Sequence, residues 1–175
     1  MKNRRELAKH FAKLGFKKGA EVGVFWGYYS RILLDTIPEL ELLCIDTWDM
    51  GETGDEALRI AKETLLKYSG VKLMMTKSVE AAKDVPDNSL DFVFIDAAHD
   101  YENVRKDIEA WYPKVKSGGI VSGHDYFKGH SIQNVQVIQA VDDFVTKHNL
   151  KLELTDWDKR NPYKDDRQPC WYFTK

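Results

Sequence analysis

Short apolar segments that end in glycine or acidic residues recur along this chain and alternate with helical patterns. The first segment lies within residues 19–27, the second ends at Asp46 and the third ends at Asp96. Strands that alternate with helices predict a parallel sheet, because parallel neighbours require a crossover connection. The carboxyl ends of such strands converge on one crevice. We therefore expect the three segment ends to line a single ligand-binding site.

Hydrophobic spacing and turn residues place the elements of this predicted sheet. Apolar runs predict five successive strands over residues 20–25, 42–46, 71–76, 91–96 and 120–124. Two further strands, over 150–155 and 170–174, are joined by a polar stretch in which no helix fits. A connection without a crossover helix pairs neighbouring strands antiparallel. The predicted α/β fold therefore has five parallel strands, a terminal antiparallel hairpin and helices on both faces.

Capping and terminating residues place the helices. Leu7, Phe11 and Leu14 share one face of a first helix, and Pro38 ends a second helix over residues 27–37. The other predicted helices are one that begins at the candidate capping box Thr53 and Glu56 and ends at Gly70, a short one over 79–83, one over 101–112 capped by Asp100, and one that carries Val135, Ile138, Val141 and Val145.

Composition bounds the class of protein. At 175 residues we expect one domain, with an N-terminal helix in residues 1–18 and the core of the fold in 19–175. No apolar run approaches the roughly 20 residues that cross a bilayer, and a net charge of −2 excludes the broad basic surface that nucleic acid requires. Two cysteines and no apolar leader favour the cytoplasm. Oligomerisation stays open, and we interpret the basic residues before position 19 as a solvated helix face rather than a partner surface.

Two longer motifs follow the fourth and fifth predicted strands. They read Phe-Ile-Asp-Ala-Ala-His-Asp-Tyr over residues 94–101 and Gly-Gly-Ile-Val-Ser-Gly-His-Asp-Tyr over 118–126. With the Glu-x-Gly-x-x-x-Gly spacing that begins at Glu21, the chain resembles the class I S-adenosylmethionine-dependent methyltransferases from about residue 15 to 175. Within that class it is similar to the small-molecule and sugar O-methyltransferase branch. The resemblance implies a Rossmann-like sheet and transfer of a methyl group from S-adenosylmethionine to a small acceptor, most simply a hydroxyl of a sugar or related metabolite.

The resemblance also implies which residues hold the cofactor. They are Glu21, Gly23, Phe25, Gly27, Asp46, Thr47, Trp48, Ser78 and Asp96. Glycine lets the backbone approach a ligand closely, Glu21 is suited to the methionyl ammonium group, and Asp46 is suited to the ribose hydroxyls. Trp48 either covers the adenine or packs in the core. Ser78 either contacts the adenine or only caps a helix.

The chemistry candidates are Asp96, His99, His124 and Asp125, at the ends of the fourth and fifth strands. In one alternative, Asp96, His124 and Asp125 hold a divalent metal that acidifies the acceptor hydroxyl. His124 stands where a second carboxylate is usual, which weakens a magnesium site and suits softer ions. In a second alternative the reaction needs no metal and His99 or His124 is the general base. In a third, Asp96 contacts the cofactor ammonium and neither histidine is catalytic.

Two loops are predicted to hold the acceptor, residues 126–131 and 157–168, with Tyr126 and Phe127 as the strongest contacts. Two other functional classes compete with methyl transfer. A non-catalytic module could bind S-adenosylmethionine and recruit a partner through its surface. A nicotinamide-dependent oxidoreductase is disfavoured, because the chain lacks Gly-x-Gly-x-x-Gly and ends in antiparallel strands.

Overall fold

A computed structural model describes residues 1–128, 136–162 and 167–175. Parts of both predicted acceptor loops, and Val135 of the last predicted helix, lie outside these ranges. The helices are α1 (Arg4–Lys13), α2 (Tyr28–Thr36), α3 (Glu52–Leu65), α4 (Ser78–Lys83), α5 (Tyr101–Trp111), followed by a 3-10 turn (Tyr112–Lys114), and α6 (Val137–Lys147). The strands are β1 (Lys18–Val22), β2 (Glu41–Asp46), β3 (Val71–Met75), β4 (Leu90–Ile95), β5 (Val115–Gly123), β6 (Glu153–Leu154) and β7 (Trp171–Thr174).

The described strands form one mixed sheet in the order β3-β2-β1-β4-β5-β7-β6. The first five in this order pair in parallel, and β7 runs antiparallel to both β5 and β6. The predicted Rossmann-like sheet with a reversed terminal hairpin is therefore confirmed. Because the chain continues from β1 to β2 on one side and returns to β4 on the other, a topological switch point lies between β1 and β4.

Helices cover both faces of the sheet and bury two separate apolar clusters. On one face α4, α5 and α6 pack over β-strand residues around Trp111 and Trp171. On the other, α1, α2 and α3 pack over a cluster that contains Phe11, Leu33 and Phe92. Phe11 stacks on Phe92 at a ring-centroid distance of 4.4 Å. Both faces are thus buried, as expected for strands that read as continuous apolar runs. None of the helices described is long and apolar enough to cross a membrane.

Several local predictions differ from the structure. The first strand ends at Val22 rather than at residue 25, and α3 ends at Leu65 rather than at Gly70. The capping box at Thr53 and Glu56 is wrong, because α3 begins one residue earlier, at Glu52, and its cap Gly51 has no side chain to bond. Glu56 instead pairs with Arg59 at 2.7 Å. The fifth strand begins at residue 115 rather than 120, and the sixth spans two residues rather than six. The predicted cap of α5 is confirmed, since the Asp100 carboxylate accepts a bond from the amide of Asn103 at 3.1 Å.

Candidate functional site

A cavity of about 830 Å³ opens at the carboxyl ends of the parallel strands, beside the switch point. It is lined by residues from the ends of β1, β2, β4 and β5, so the strand ends converge as the sequence predicts. The predicted site residues that line it are Glu21, Gly23, Phe25, Asp46, Thr47, Ser78, Asp96, His99, His124 and Asp125. Two predicted residues, Gly27 and Trp48, do not line it.

Glu21 lies near the end of β1 at the inner end of this cavity. Glu21 is only 2% exposed, and one of its carboxylate oxygens accepts a hydrogen bond from the Ser30 hydroxyl at 2.5 Å. Burial raises the pKa of Glu21 to about 8, because removal from water penalises the charged form; the Ser30 hydroxyl opposes that shift. Burial therefore favours the protonated form of Glu21, and a cationic group bound beside it would favour the charged form.

The two glycines of the first motif are required by the backbone itself. Gly23 has a φ of +89°, and a Cβ built there lies 2.0 Å from the carbonyl oxygen of Asp96. Gly27 has a φ of +78° and caps the start of α2. L-residues rarely adopt this left-handed conformation. The close approach of β1 to β4 thus accounts for Gly23 before any ligand is considered, and the left-handed cap of α2 accounts for Gly27.

Asp46, at the end of β2, is bonded to the loop that follows β1. One of its oxygens accepts bonds from the amides of Val24 and Phe25, each at 2.9 Å, and the other accepts from the amide of Trp48 at 2.9 Å. A carboxylate offers about four acceptor positions. About one position therefore remains for a ligand, fewer than the two that a pair of ribose hydroxyls needs.

The two adenine candidates occupy different environments. Trp48 is 5% exposed in the apolar cluster beneath α1, α2 and α3, and its indole nitrogen donates to the carbonyl oxygen of Phe25 at 2.9 Å. The sequence left two alternatives for Trp48, and in the structure its side chain packs in the core. Ser78 does line the cavity, and its hydroxyl accepts a bond from the Trp111 indole at 2.9 Å. It is not a helix cap, because Lys77 occupies that position in α4.

Four ionisable side chains meet at the ends of β4 and β5. His99 Nε2 lies 2.8 Å from one oxygen of Asp125, and His124 Nδ1 lies 3.3 Å from the other. His124 Nδ1 is also 3.8 Å from Asp96, and His99 Nε2 is 4.0 Å from it. His124 is 5% exposed, whereas the side chain of His99 is 42% exposed. The ring of His99 is therefore the more exposed of the two, although its Nε2 atom, which faces Asp125, is itself buried.

Proximity to the carboxylates shifts the titration of both histidines. Its contacts with Asp125 and then Asp96 raise the pKa of His99 to about 10, although burial opposes the shift. Burial disfavours the charged form of His124, but Asp96 and Asp125 together still raise its pKa above the ordinary value. Burial likewise acts against the charged form of Asp125, yet the two histidines hold its pKa well below the usual range. This end of the cavity is a network of paired charges.

The predicted metal-binding trio is brought together. Asp96, His124 and Asp125 each offer one ligand atom, and these atoms lie within 4.8 Å of one another. One ion could contact all three, and the mixed nitrogen and oxygen donors suit a softer ion better than magnesium. Both carboxylates already face cationic groups, since His99 lies against Asp125 and the Arg4 guanidinium lies 3.4 Å from Asp96. The geometry fits an ion, but the charge of the trio is already balanced.

Arg4 is one of the cavity residues that the sequence analysis missed. It was assigned to a solvated helix face, but it is 9% exposed and lines the cavity. Its guanidinium also lies over the ring of Tyr29, 5.4 Å from the centroid. The only available signal was its place in the helical repeat, three residues before the buried Leu7. That signal could not reveal that the start of α1 reaches the strand ends.

One aromatic residue of the first predicted acceptor loop lines the cavity. Phe127 lines it and meets the Trp157 ring edge-on at 5.6 Å, and the Trp157 residue is 42% exposed. Tyr126 does not line it. Its hydroxyl instead donates to Asp142 of α6 at 2.6 Å, so of the two predicted acceptor contacts only Phe127 faces the cavity.

The sheet order, the reversed β7 and the cavity at the switch point define a class I methyltransferase fold. The sequence pattern of the methyltransferase domain family matches residues 20–126, more than half of the chain. The chain belongs to this methyltransferase domain family.

Among curated proteins, a segment is 30% identical over 90 residues to the uncharacterized protein y4gI of Sinorhizobium fredii. The match covers 49% of this chain and only 10% of that relative, so the chain spans about a tenth of its length.

Solved structures share the fold at low sequence identity. The O-methyltransferase from Bacillus cereus in complex with SAH is 15% identical, with a TM-score of 0.72 over 98% of this chain and 80% of its own. Cofactor-bound Rv0187 from MTB is 13% identical, with a TM-score of 0.75 over 98% and 78%. The precorrin-6y C5,15-methyltransferase from Geobacter metallireducens is 16% identical, with a TM-score of 0.69 over 98% and 88%. At these identities the likeness establishes the fold alone.

Proposed function

We propose that this protein transfers the methyl group of S-adenosylmethionine to a hydroxyl of a small molecule, such as a sugar or related metabolite. The observation that carries the proposal is one cavity that joins Glu21 and Asp46 to the charged network of Asp96, His99 and Asp125. Glu21 suits the methionyl ammonium group of the cofactor, and Asp46 suits its ribose. The second set suits proton removal from an acceptor. Membership of the methyltransferase domain family supports the cofactor.

The cofactor contacts follow from chemical complementarity. The methionyl ammonium pairs with Glu21, whose buried carboxylate regains its charge when a cation binds. Asp46 accepts a ribose hydroxyl with its remaining acceptor position, and Thr47 lies beside it at the cavity. Phe25 and Ser78 border the region left for the adenine. Trp48 has no direct contact in this arrangement.

Methyl transfer depends chiefly on placement, because the sulfonium is already an activated donor. The acceptor oxygen must lie behind the methyl group at about 3 to 3.5 Å and must lose its proton. We assign that proton to His99, the more exposed histidine of the network. Its pKa of about 10 leaves it protonated in the free protein. The net positive charge of the cofactor lowers that pKa on binding and favours the basic form.

The proposed reaction is independent of a metal. Asp96 already faces Arg4 and Asp125 already faces His99, so an ion must displace these cations to gain the full attraction of both carboxylates. A metal-assisted reaction through Asp96, His124 and Asp125 is the alternative, favoured by the spacing of their ligand atoms. In that case the ion acidifies the acceptor hydroxyl and His99 is not needed as the base.

The ring of Phe127 supports a small cyclic acceptor. Phe127 presents a ring to the cavity, and Trp157 lies edge-on beside it. Flat aromatic faces pack well against the apolar face of a sugar or an aromatic ring.

The test has two stages. Calorimetry first compares S-adenosylhomocysteine with NADH, and the proposal expects binding of the former alone. Labelled S-adenosylmethionine is then incubated with a panel of sugars and phenols, with and without EDTA. Transfer that survives EDTA and disappears in His99→Ala supports the metal-independent reaction. Loss of transfer in EDTA supports the metal-assisted one, and cofactor binding without transfer to any acceptor supports a non-catalytic module.

A further inference from the structure

Arg4 is a cation buried at the inner end of a cavity that the proposed function assigns to a cofactor. It belongs to the first turn of α1, outside the region matched by the family pattern. Its residue is 9% exposed, although arginine is among the residues least often buried. Burial of a guanidinium is costly unless charged partners compensate it. Its position therefore requires an explanation that a solvated helix face does not provide.

The surrounding contacts hold the guanidinium in a fixed place. Asp96 lies 3.4 Å from it, and the Tyr29 ring lies beneath it at 5.4 Å. The Tyr29 hydroxyl donates to the carbonyl oxygen of Arg4 at 3.2 Å, which ties the start of α1 to α2. Side chain and backbone of Arg4 are thus both anchored to elements of the cavity wall. A group held in this way loses little freedom when a ligand binds.

The inner end of the cavity combines both signs of charge. Glu21 and Asp96 are acidic, Arg4 is basic, and the positive charge of Arg4 acts on the titration of Glu21. A simple cation would need only the carboxylates. An α-amino acid group, by contrast, carries an ammonium and a carboxylate on adjacent atoms and is complementary to such a mixed site. The guanidinium also has the planar fork that suits a carboxylate.

We propose that Arg4 binds the α-carboxylate of the methionyl end of the cofactor, while Glu21 and Asp96 hold its ammonium group. The inference rests on the proposed function, because it takes S-adenosylmethionine as the ligand. It makes the first turn of α1 a part of the cofactor site. It also means that the protein selects cofactors that carry an intact amino acid group.

The test compares two ligands that differ only in the carboxylate. Calorimetry measures S-adenosylhomocysteine and its decarboxylated analogue, which keeps the ammonium, against the wild type and Arg4→Gln. We expect Arg4→Gln to weaken S-adenosylhomocysteine about 10- to 100-fold, as for the loss of a hydrogen bond between charged groups. The analogue should change by less than about threefold, since it lacks the group that Arg4 contacts. Lys13→Gln removes the same charge at the exposed end of α1 and should change neither ligand.

The outcomes separate this inference from the proposed function. An equal loss for both ligands in Arg4→Gln, or no loss for either, overturns the role of Arg4. Binding of neither ligand by the wild type overturns the proposed cofactor itself. Arg4→Lys, which keeps the charge but not the fork, covers the case in which Arg4→Gln fails to fold. Its loss should be intermediate and confined to S-adenosylhomocysteine.

Discussion

The two ends of the cavity are built differently. At the β1 and β2 end, Asp46 is held by three backbone amides and Glu21 by a single hydroxyl. At the β4 and β5 end, His99 and His124 face Asp125, and each histidine and Asp125 shift each other's titration. The first end is positioned by the path of the main chain. The second depends on the charges of its neighbours.

This difference predicts which property a substitution at each end changes. Changes at the first end should alter cofactor affinity and the stability of the loop together, because the same carboxylate serves both. Changes at His99, His124 or Asp125 should alter turnover while the cofactor still binds. The four predictions that follow test this division, beginning with the largest expected effect.

Replacement of the exposed catalytic candidate should give the largest change. His99→Ala removes the proposed base, so we expect turnover to fall about 100- to 10,000-fold, the usual range for a general base. S-adenosylhomocysteine affinity should stay within about threefold, because His99 belongs to the other end of the cavity. Turnover is measured with labelled cofactor and affinity by calorimetry. His148→Ala, at the exposed C-terminal cap of α6, is the control. A matching loss of cofactor binding in His99→Ala would contradict the division between the two ends.

Asp46→Ala tests the end that the backbone positions. It removes the acceptor of three amides and of a ribose hydroxyl, so S-adenosylhomocysteine affinity should fall about 100-fold or more. The melting temperature should fall as well, because the loop amides lose their partners. Calorimetry and thermal unfolding measure the two effects. Asp49→Ala, at an exposed position three residues on, should leave both unchanged; full affinity in Asp46→Ala would show that the carboxylate serves only the loop.

Glu21→Gln should raise the stability of the protein and lower its affinity for the cofactor. The pKa of Glu21 is about 8 in the folded protein and near 4.5 when unfolded, so the folded state holds an extra proton between these values. Its contribution to stability is complete below pH 4.5 and is lost as the pH rises through 8. Glu21→Gln lacks this titration and should therefore gain stability relative to the wild type from pH 5 to 9.

The same titration governs the affinity of the wild type. Because Glu21 must lose its proton to pair with the cofactor ammonium, affinity should rise up to about tenfold per pH unit below pH 8. Glu21→Gln should bind S-adenosylhomocysteine weakly and without this rise. Urea unfolding and calorimetry across the pH range provide the measurements. A flat affinity profile in the wild type would remove Glu21 from the ammonium site.

Trp48→Phe should have the smallest effect. The variant loses one bond from the indole nitrogen to the carbonyl oxygen of Phe25, at a cost of about 1 kcal/mol in the free energy of unfolding. Cofactor affinity should change by less than about threefold, since the indole lies in the core rather than at the cavity. Urea unfolding and calorimetry measure both quantities. A loss of binding free energy larger than the loss of unfolding free energy would indicate that Trp48 contacts the adenine.

The sequence predicts the convergence of the strand ends because parallel strands carry their carboxyl ends to one edge. Glu21, Asp46 and Asp96 therefore meet as expected. The sequence does not show side-chain direction where the backbone leaves regular geometry. Trp48 has a φ of +49°, and in the structure its indole lies in the core rather than at the cavity. The sequence did not predict the place of Arg4 in the cavity for another reason. The angle at which α1 crosses the sheet depends on packing between distant residues.

The position of β7 has a consequence for how the chain assembles. β7 follows β6 in the chain, yet it lies between β5 and β6 in the sheet. During synthesis on the ribosome β6 emerges first and has no neighbour to join until β7 has docked. Until then the apolar edge of β5 stays open to strands from other molecules. Truncation before Trp171 leaves that edge of β5 open, so we expect shortened chains to aggregate more readily than the chain that carries β7.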